Sequence, residues 1–193
     1  MQVLMIEVVG VGGTANVLTP DQTVAVWNKI GVTHPSQLVM CYNSKKHGYD
    51  SNTQYKNCAG KGPTFLLARR SNKRVFGGFL DVGLEMSYGW KRGSDGKSFV
   101  WNVAPKTKQI EFFLNKGARR DYKYYMHKGI SAYFGPGQAL YCDGRLTYCR
   151  SNMNGDSYNA NGRNSNLGRT LLTGSHDWRE QKTMLFEVYY VKQ

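Results

Sequence analysis

The side chains best suited to proton transfer, nucleophilic attack or metal binding are His47, His127 and His176 and the cysteines Cys41, Cys58, Cys142 and Cys149. A zinc site needs ligands at short, regular spacing. No Cys-x-x-Cys pair occurs, no histidine has a Glu-x-x-His partner, and the histidines lie far along the chain from most of the cysteines. Cys58 with His47 could form a nucleophile–base pair, but no local motif supports it, so the histidines are read as surface or half-buried residues. Gly60-Lys61-Gly62 is followed by proline and then a predicted strand, the reverse of the strand-to-helix order of a phosphate loop. Asn152-x-Asn154-Gly155-Asp156 is rich in oxygen, yet it offers one carboxylate and no closing glutamate for calcium. No catalytic residue, metal site or cofactor is therefore expected.

Binding chemistry is better represented. The chain carries a net charge of +13, and residues 45–128 alone hold +12 of it. Such a field attracts anionic surfaces such as phospholipid headgroups, nucleic acid, acidic proteins, sulfated glycans or a mineral. The densest cationic and aromatic run is Lys116–Lys128, with Arg119, Arg120, Tyr122, Lys123, Tyr124 and Tyr125 between its ends. Its alternation reads first as a strand with tyrosines inward and charges outward, and the outward charges make a binding face. Lys116, Arg119, Arg120, Lys123 and Lys128, with Lys45 and Lys46, are the candidate contacts for a polyanion or protein partner. Residues 150–169 contain six asparagines and three glycines. They read as a long polar loop, in which Asn152, Asn154, Asp156, Asn161 and Arg163 could hydrogen-bond a ligand.

These residues need a scaffold. A chain of 193 residues with 40% hydrophobic content suffices for one domain with a single core. Thr19-Pro20-Asp21-Gln22 is a capping box with proline at the first helical position, and Gly31 can end the helix that follows. A second short helix is expected over Asp50–Cys58, capped by Ser51 with Gln54, with Tyr55 and Cys58 on its inward edge. Strands are expected at Leu38–Tyr42, Thr64–Ala68, Val75–Leu80, Ser98–Val103, Gln109–Leu114, Lys123–His127, Ile130–Phe134, Gln138–Cys142, Arg145–Cys149 and Thr183–Val191. Ser71–Arg74 reads as one hairpin turn and Asp143-Gly144 as a two-residue one. Gly60, Gly62, Pro63, Gly77 and Gly78 are read as structural turn positions. The fold class is therefore mostly β (α+β): a two-sheet antiparallel β-sandwich with two or more short helices. Residues 1–16 form an apolar strand or arm, and 17–193 form the domain.

Tyr-Asn-Ser-Lys-Lys-His-Gly-Tyr-Asp-Ser from Tyr42, Asn-Cys-Ala-Gly-Lys-Gly-Pro-Thr from Asn57, and Val-Phe-Gly-Gly-Phe from Val75 occur in that order. Together they resemble the core of the TLDc domain of oxidation-resistance proteins. The similarity extends through Ser98–Trp101, Ser131–Leu146 and Leu185–Val191, and Asn57–Thr64 is its most specific piece. The resemblance implies a two-sheet β core without established catalytic residues. It also implies a role in protection from oxidative stress, and in binding and regulating the vacuolar proton pump. This chain departs from the family in its unusually basic middle.

The expectation is a non-enzymatic adaptor that docks to a protein complex or anionic surface, with nucleic acid not the expected partner. No apolar run approaches the ~18 residues that would cross a bilayer. The start of the chain lacks the basic region of a signal peptide, so a cytoplasmic protein with buried free thiols is expected. The alternative is a secreted or surface basic protein, lectin-like or binding a polyanion or mineral. The even cysteine count supports that alternative, because two disulfides would require oxidative folding.

Overall fold

The computed structural model describes residues 17–33, 37–87, 89–92, 97–114, 122–126, 130–134, 139–145, 148–151, 172–173 and 182–192, without the side chains of Lys91, Arg92, Tyr122, Lys123 and Met126. The arm 1–16 and most of the polar loop lie outside these residues.

Thr19 caps α1 (Pro20–Ile30) as its sequence dictates. Its Oγ1 accepts from Gln22 N at 3.3 Å, and Gln22 Oε1 accepts from Thr19 N at 2.9 Å. Gly31, at φ 74°, ends the helix in the left-handed conformation that glycine adopts without steric cost. β1 (Leu38–Asn43) runs into a single turn of helix, α2 (Ser44–His47), and then α3 (Ser51–Cys58). Asp50, not Ser51, is the N-cap of α3: its carboxylate accepts from Thr53 N at 2.9 Å. A carboxylate is the stronger acceptor and sits where the helix dipole favours it.

The rest is strand and turn: β2 (Thr64–Arg70), β3 (Val75–Leu80), β4 (Gly89–Arg92), β5 (Phe99–Val103), β6 (Ile110–Leu114), β7 (Tyr122–Met126), β8 (Ile130–Phe134), β9 (Leu140–Asp143), β10 (Cys149–Arg150) and β11 (Thr183–Val191). One antiparallel sheet has the order β1-β11-β2-β3-β5-β6 and the other β10-β9-β8-β7-β4. The mostly-β, two-sheet expectation holds. β4 was not foreseen, and the strand at Arg145–Cys149 is the shorter Cys149–Arg150. Among the described residues β1 is an edge strand paired with β11 alone, and its first half is half-buried.

Leu66, Phe76, Val100 and Phe186 of the six-stranded sheet meet Tyr124, Ala132, Phe134 and Leu140 of the other in one buried cluster. The opposite face of the six-stranded sheet carries Phe65, Phe79, Phe99 and Trp101, with Val26 of α1. Phe65 stacks on Trp101 at 5.3 Å.

Two turn readings require correction. Gly77 and Gly78 lie inside β3, where a Cβ at Gly77 would overlap the Leu66 carbonyl and one at Gly78 the Phe134 ring. Their glycines serve close approach across and between sheets, not chain reversal. The hairpin after β9 closes on Asp143 and Tyr148, whose N–H donates to Asp143 Oδ1 at 3.0 Å, so its turn is longer than Asp143-Gly144 alone. Gly60 and Gly62 are true turn positions, at φ 74° and 108°, and Gly60 N donates to Leu84 O at 2.8 Å. Pro63 O accepts from Val191 N at 2.7 Å, which seats this turn on the end of β11.

Candidate functional site

All four cysteines are paired, against the expectation of free thiols. Cys41 of β1 bonds Cys58 of α3, and Cys142 of β9 bonds Cys149 of β10. The physical reason is tertiary: packing of α3 on β1 brings two Cα atoms 17 residues apart to 5.3 Å, within bridging reach. In the β9–β10 pair, Cys142 and Cys149 stand directly opposite each other. Asp143 N donates to Tyr148 O at 3.0 Å, which makes the neighbouring cysteine pair a non-hydrogen-bonded one, where side chains approach most closely. The nucleophile–base pair weighed from the sequence thus has no thiol. His47 Nδ1 instead accepts from Asn43 N at 3.0 Å, and its ring packs on Tyr42 at 5.6 Å.

Of the candidate binding residues, Lys45 and Lys46 are exposed on α2. Asn43 caps that turn by accepting from both their backbone N–H groups, while its Nδ2 donates to the buried Glu187 carboxylate at 2.8 Å. Nearby, Tyr49 OH donates to Met184 O at 3.0 Å, and both side chains are exposed. Lys123 lies in β7 with its side chain outside the described residues. Lys116, Arg119, Arg120 and Lys128 lie outside them altogether, as do Asn152, Asn154, Asp156, Asn161 and Arg163. The structure therefore brings Lys45 and Lys46 together and leaves the remaining grouping unspecified.

An arrangement that sequence reasoning missed lies on the outer face of the five-stranded sheet. Cross-strand register places Trp90 opposite Tyr125, Tyr133 opposite Tyr141, and Tyr141 opposite Arg150. The Tyr124–Phe134 pairing sets Tyr125 beside Tyr133 and completes the row. Ring centroids are 5.0 Å apart for Trp90–Tyr125, 5.4 Å for Tyr125–Tyr133 and 5.8 Å for Tyr133–Tyr141. The Arg150 guanidinium lies 4.8 Å over the Tyr141 ring. At that end Tyr141, Asp143, Tyr148 and Arg150 line a cavity of about 130 Å³. Burial raises the Tyr141 phenol above its ordinary value, opposed by the charge of Arg150. The signal was present in the sequence as an aromatic residue in each of the four segments, Trp90, Tyr125, Tyr133 and Tyr141, but which strands neighbour one another was not.

The inner face of the same sheet holds a phenol pair under α3. Tyr124 OH donates to Ser131 O at 2.7 Å, and Tyr55 OH to Ile130 O at 3.0 Å. Burial pushes Tyr55 up to about 12 and Tyr124 well above the ordinary 10.0. Both pKa values are raised in the folded state, so the stability they contribute is complete below pH 10.0 and is lost as pH rises toward about 12. Alkaline titration followed by tyrosinate absorbance and circular dichroism should show late phenol ionisation coincident with unfolding. Tyr55→Phe should move that transition to higher pH, at a cost of about 1 kcal/mol near neutrality for the lost hydrogen bond. An unchanged alkaline midpoint would count against this account.

A disulfide-linked sandwich of two antiparallel sheets, with a glycine-paired central strand and an aromatic outer face, is the class the geometry defines. Residues 12–192 match the TLDc domain, and the chain belongs to that family. It is similar to TBC1 domain family member 24 of Xenopus tropicalis, at 28% identity over 89 residues. It is likewise similar to the Xenopus laevis protein of that description, at 27% over 89 residues. In both cases the match covers 42% of this chain and 15% of the relative's length.

Proposed function

We propose that this TLDc domain is a non-enzymatic binding module that works in an oxidising compartment and engages an anionic partner. The pairing of all four cysteines carries this reading, because disulfides form and persist where thiols are not kept reduced. The net charge of +13 supplies the attraction. Thiol titration of the natural protein, denatured without reductant, should find no free thiol. Four free thiols would overturn the compartment. On a polyanion column, retention should fall as salt rises, because the attraction of exposed charges is screened.

Family membership favours a second reading, a cytoplasmic adaptor docked to a protein complex such as the vacuolar proton pump. Lys45, Lys46, Tyr49 and Met184, exposed on or beside α2, would be its contact surface. A pull-down from cytosol and membranes that recovers pump subunits, lost on joint replacement of Lys45 and Lys46 by glutamate, would establish it. Recovery of no specific protein would remove it.

A further inference from the structure

We infer that the outer face of the five-stranded sheet is a glycan-binding platform, and that its ligand is a polysaccharide carrying carboxylate or sulfate groups. The inference rests on the anionic-partner reading above and names the surface and the chemistry. Two features of this face carry it, together with the charge of the chain as a whole.

The first is the aromatic row. Trp90, Tyr125, Tyr133 and Tyr141 are half-buried, not sealed into the core, and occupy one register level across four adjoining strands. With Arg150 on the fifth strand, the row spans about 19 Å at about 4.8 Å per strand. A pyranose ring has an apolar C–H face that lies against an aromatic side chain, while its hydroxyls point outward at the edges. Successive rings of a glycan chain can therefore follow a row of aromatic side chains.

The second feature is the cavity at the end of the row, whose volume of about 130 Å³ suits a single sugar ring or substituent. Tyr141 and Tyr148 supply apolar wall, Asp143 an acceptor and Arg150 a fork of donors. Asp143 Oδ1 takes the Tyr148 N–H, while among the described residues Oδ2 has no hydrogen-bond partner. The Arg150 guanidinium, held over Tyr141, likewise has none among the described residues and can grip a carboxylate or sulfate through paired N–H groups.

The third support is charge. The +13 of the chain matches a polyanion, and Asp143 decides which kind. A carboxylate is the complement of hydroxyls, which a sugar chain carries on every ring. Single-stranded DNA offers a phosphate at every step but no ring hydroxyl to donate to Asp143, so it leaves that acceptor unsatisfied. The buried Cys142–Cys149 bridge ties β9 to β10 directly behind this site, so Tyr141 and Arg150 are held on a fixed pair of strands.

The test uses the intact, oxidised protein. Binding is measured by affinity electrophoresis and calorimetry against polygalacturonate, dextran sulfate, unmodified dextran and oligo(dT). Retention by polygalacturonate assigns carboxylate recognition, and retention by dextran sulfate alone assigns sulfate; unmodified dextran should not bind. Arg150→Gln, on an exposed side chain, should weaken the bound polysaccharide about tenfold, and Tyr133→Ala at least as much. Lys106→Gln, which removes the same charge from a distant turn, should change affinity less than about twofold. Melting temperatures of the variants separate lost binding from lost folding, and Arg150→Gln keeps the test decisive if Tyr133→Ala is unstable. Acidic-polysaccharide binding unchanged by Arg150→Gln and Tyr133→Ala would overturn this surface while leaving the anionic-partner reading intact. Binding to oligo(dT) as tight as to either acidic polysaccharide would overturn the ligand class. Retention of no polyanion at all would overturn both.

Discussion

Replacing Gly78 by alanine is expected to lower stability by about 3 kcal/mol, a fall in melting temperature of about 6–12 °C for a domain of this size. Gly78 sits in the middle of β3, opposite Leu66 on one side and Val100 on the other. A Cβ there would lie 2.6 Å from Phe134 Cε1 and closer still to Cζ. Phe134 cannot easily retreat. It is fully buried from the facing sheet and meets Tyr124 edge to face at 5.2 Å. The added methyl must either part the sheets or drive the ring off its rotamer. Gly77→Ala should be worse, because there the obstruction is the backbone carbonyl of Leu66, which no side-chain rotation relieves. The check is a thermal melt of each variant, with the double variant Gly78→Ala/Phe134→Leu as the diagnostic. Trimming the ring should restore part of what the methyl costs, so the pair should lose less than the sum of its members. Strict additivity would show that the two residues do not compete for one space.

Loss of the Cys41–Cys58 bridge is expected to cost about 3 kcal/mol, since it closes a loop of roughly 17 residues in the unfolded chain. The bridge joins the edge strand β1, held in its sheet by β11, to the short helix α3. In Cys41→Ser/Cys58→Ser, fraying of α3 and the following turn should precede global unfolding, and hydrogen exchange should show it first there. Cys142–Cys149 spans only 7 residues, so its removal should cost somewhat less and act locally on β10. All four sulfurs are buried or nearly so, so reductant should act slowly on the native protein and fast once it opens. Melting in the presence and absence of reductant separates these cases. Coincident curves would mean that the bridges contribute nothing to stability.

The elements read correctly from sequence are those specified within a few residues. The capping box at Thr19–Gln22 satisfies its own backbone donors, and Gly31 supplies its own positive φ, so both ends of α1 are set by neighbours in sequence. Val75–Leu80, Ile130–Phe134 and Thr183–Val191 have the expected bounds because apolar, β-branched and aromatic residues are bracketed there by turn formers. β4 failed that test. It is four residues long with glycine at its head, and pairing with β7 is what makes it a strand. Gly77 and Gly78 misled for a related reason: two adjacent glycines look like a turn until a ring from another sheet is seen to fill the space they leave.

Composition and local spacing thus determined the β-rich class, the first helix, most strand positions, the cationic character and the family resemblance, because each depends on neighbours in sequence. The three-dimensional arrangement decided the pairing of Cys41 with Cys58 and of Cys142 with Cys149. It also decided the close contact of Gly78 with Phe134 and the alignment of Trp90, Tyr125, Tyr133, Tyr141 and Arg150 on one face. Those depend on which strands lie side by side and in what register. A one-residue slip in pairing would turn every side chain of a strand to the opposite face, so this alignment holds only in the register that packing of the two sheets selects.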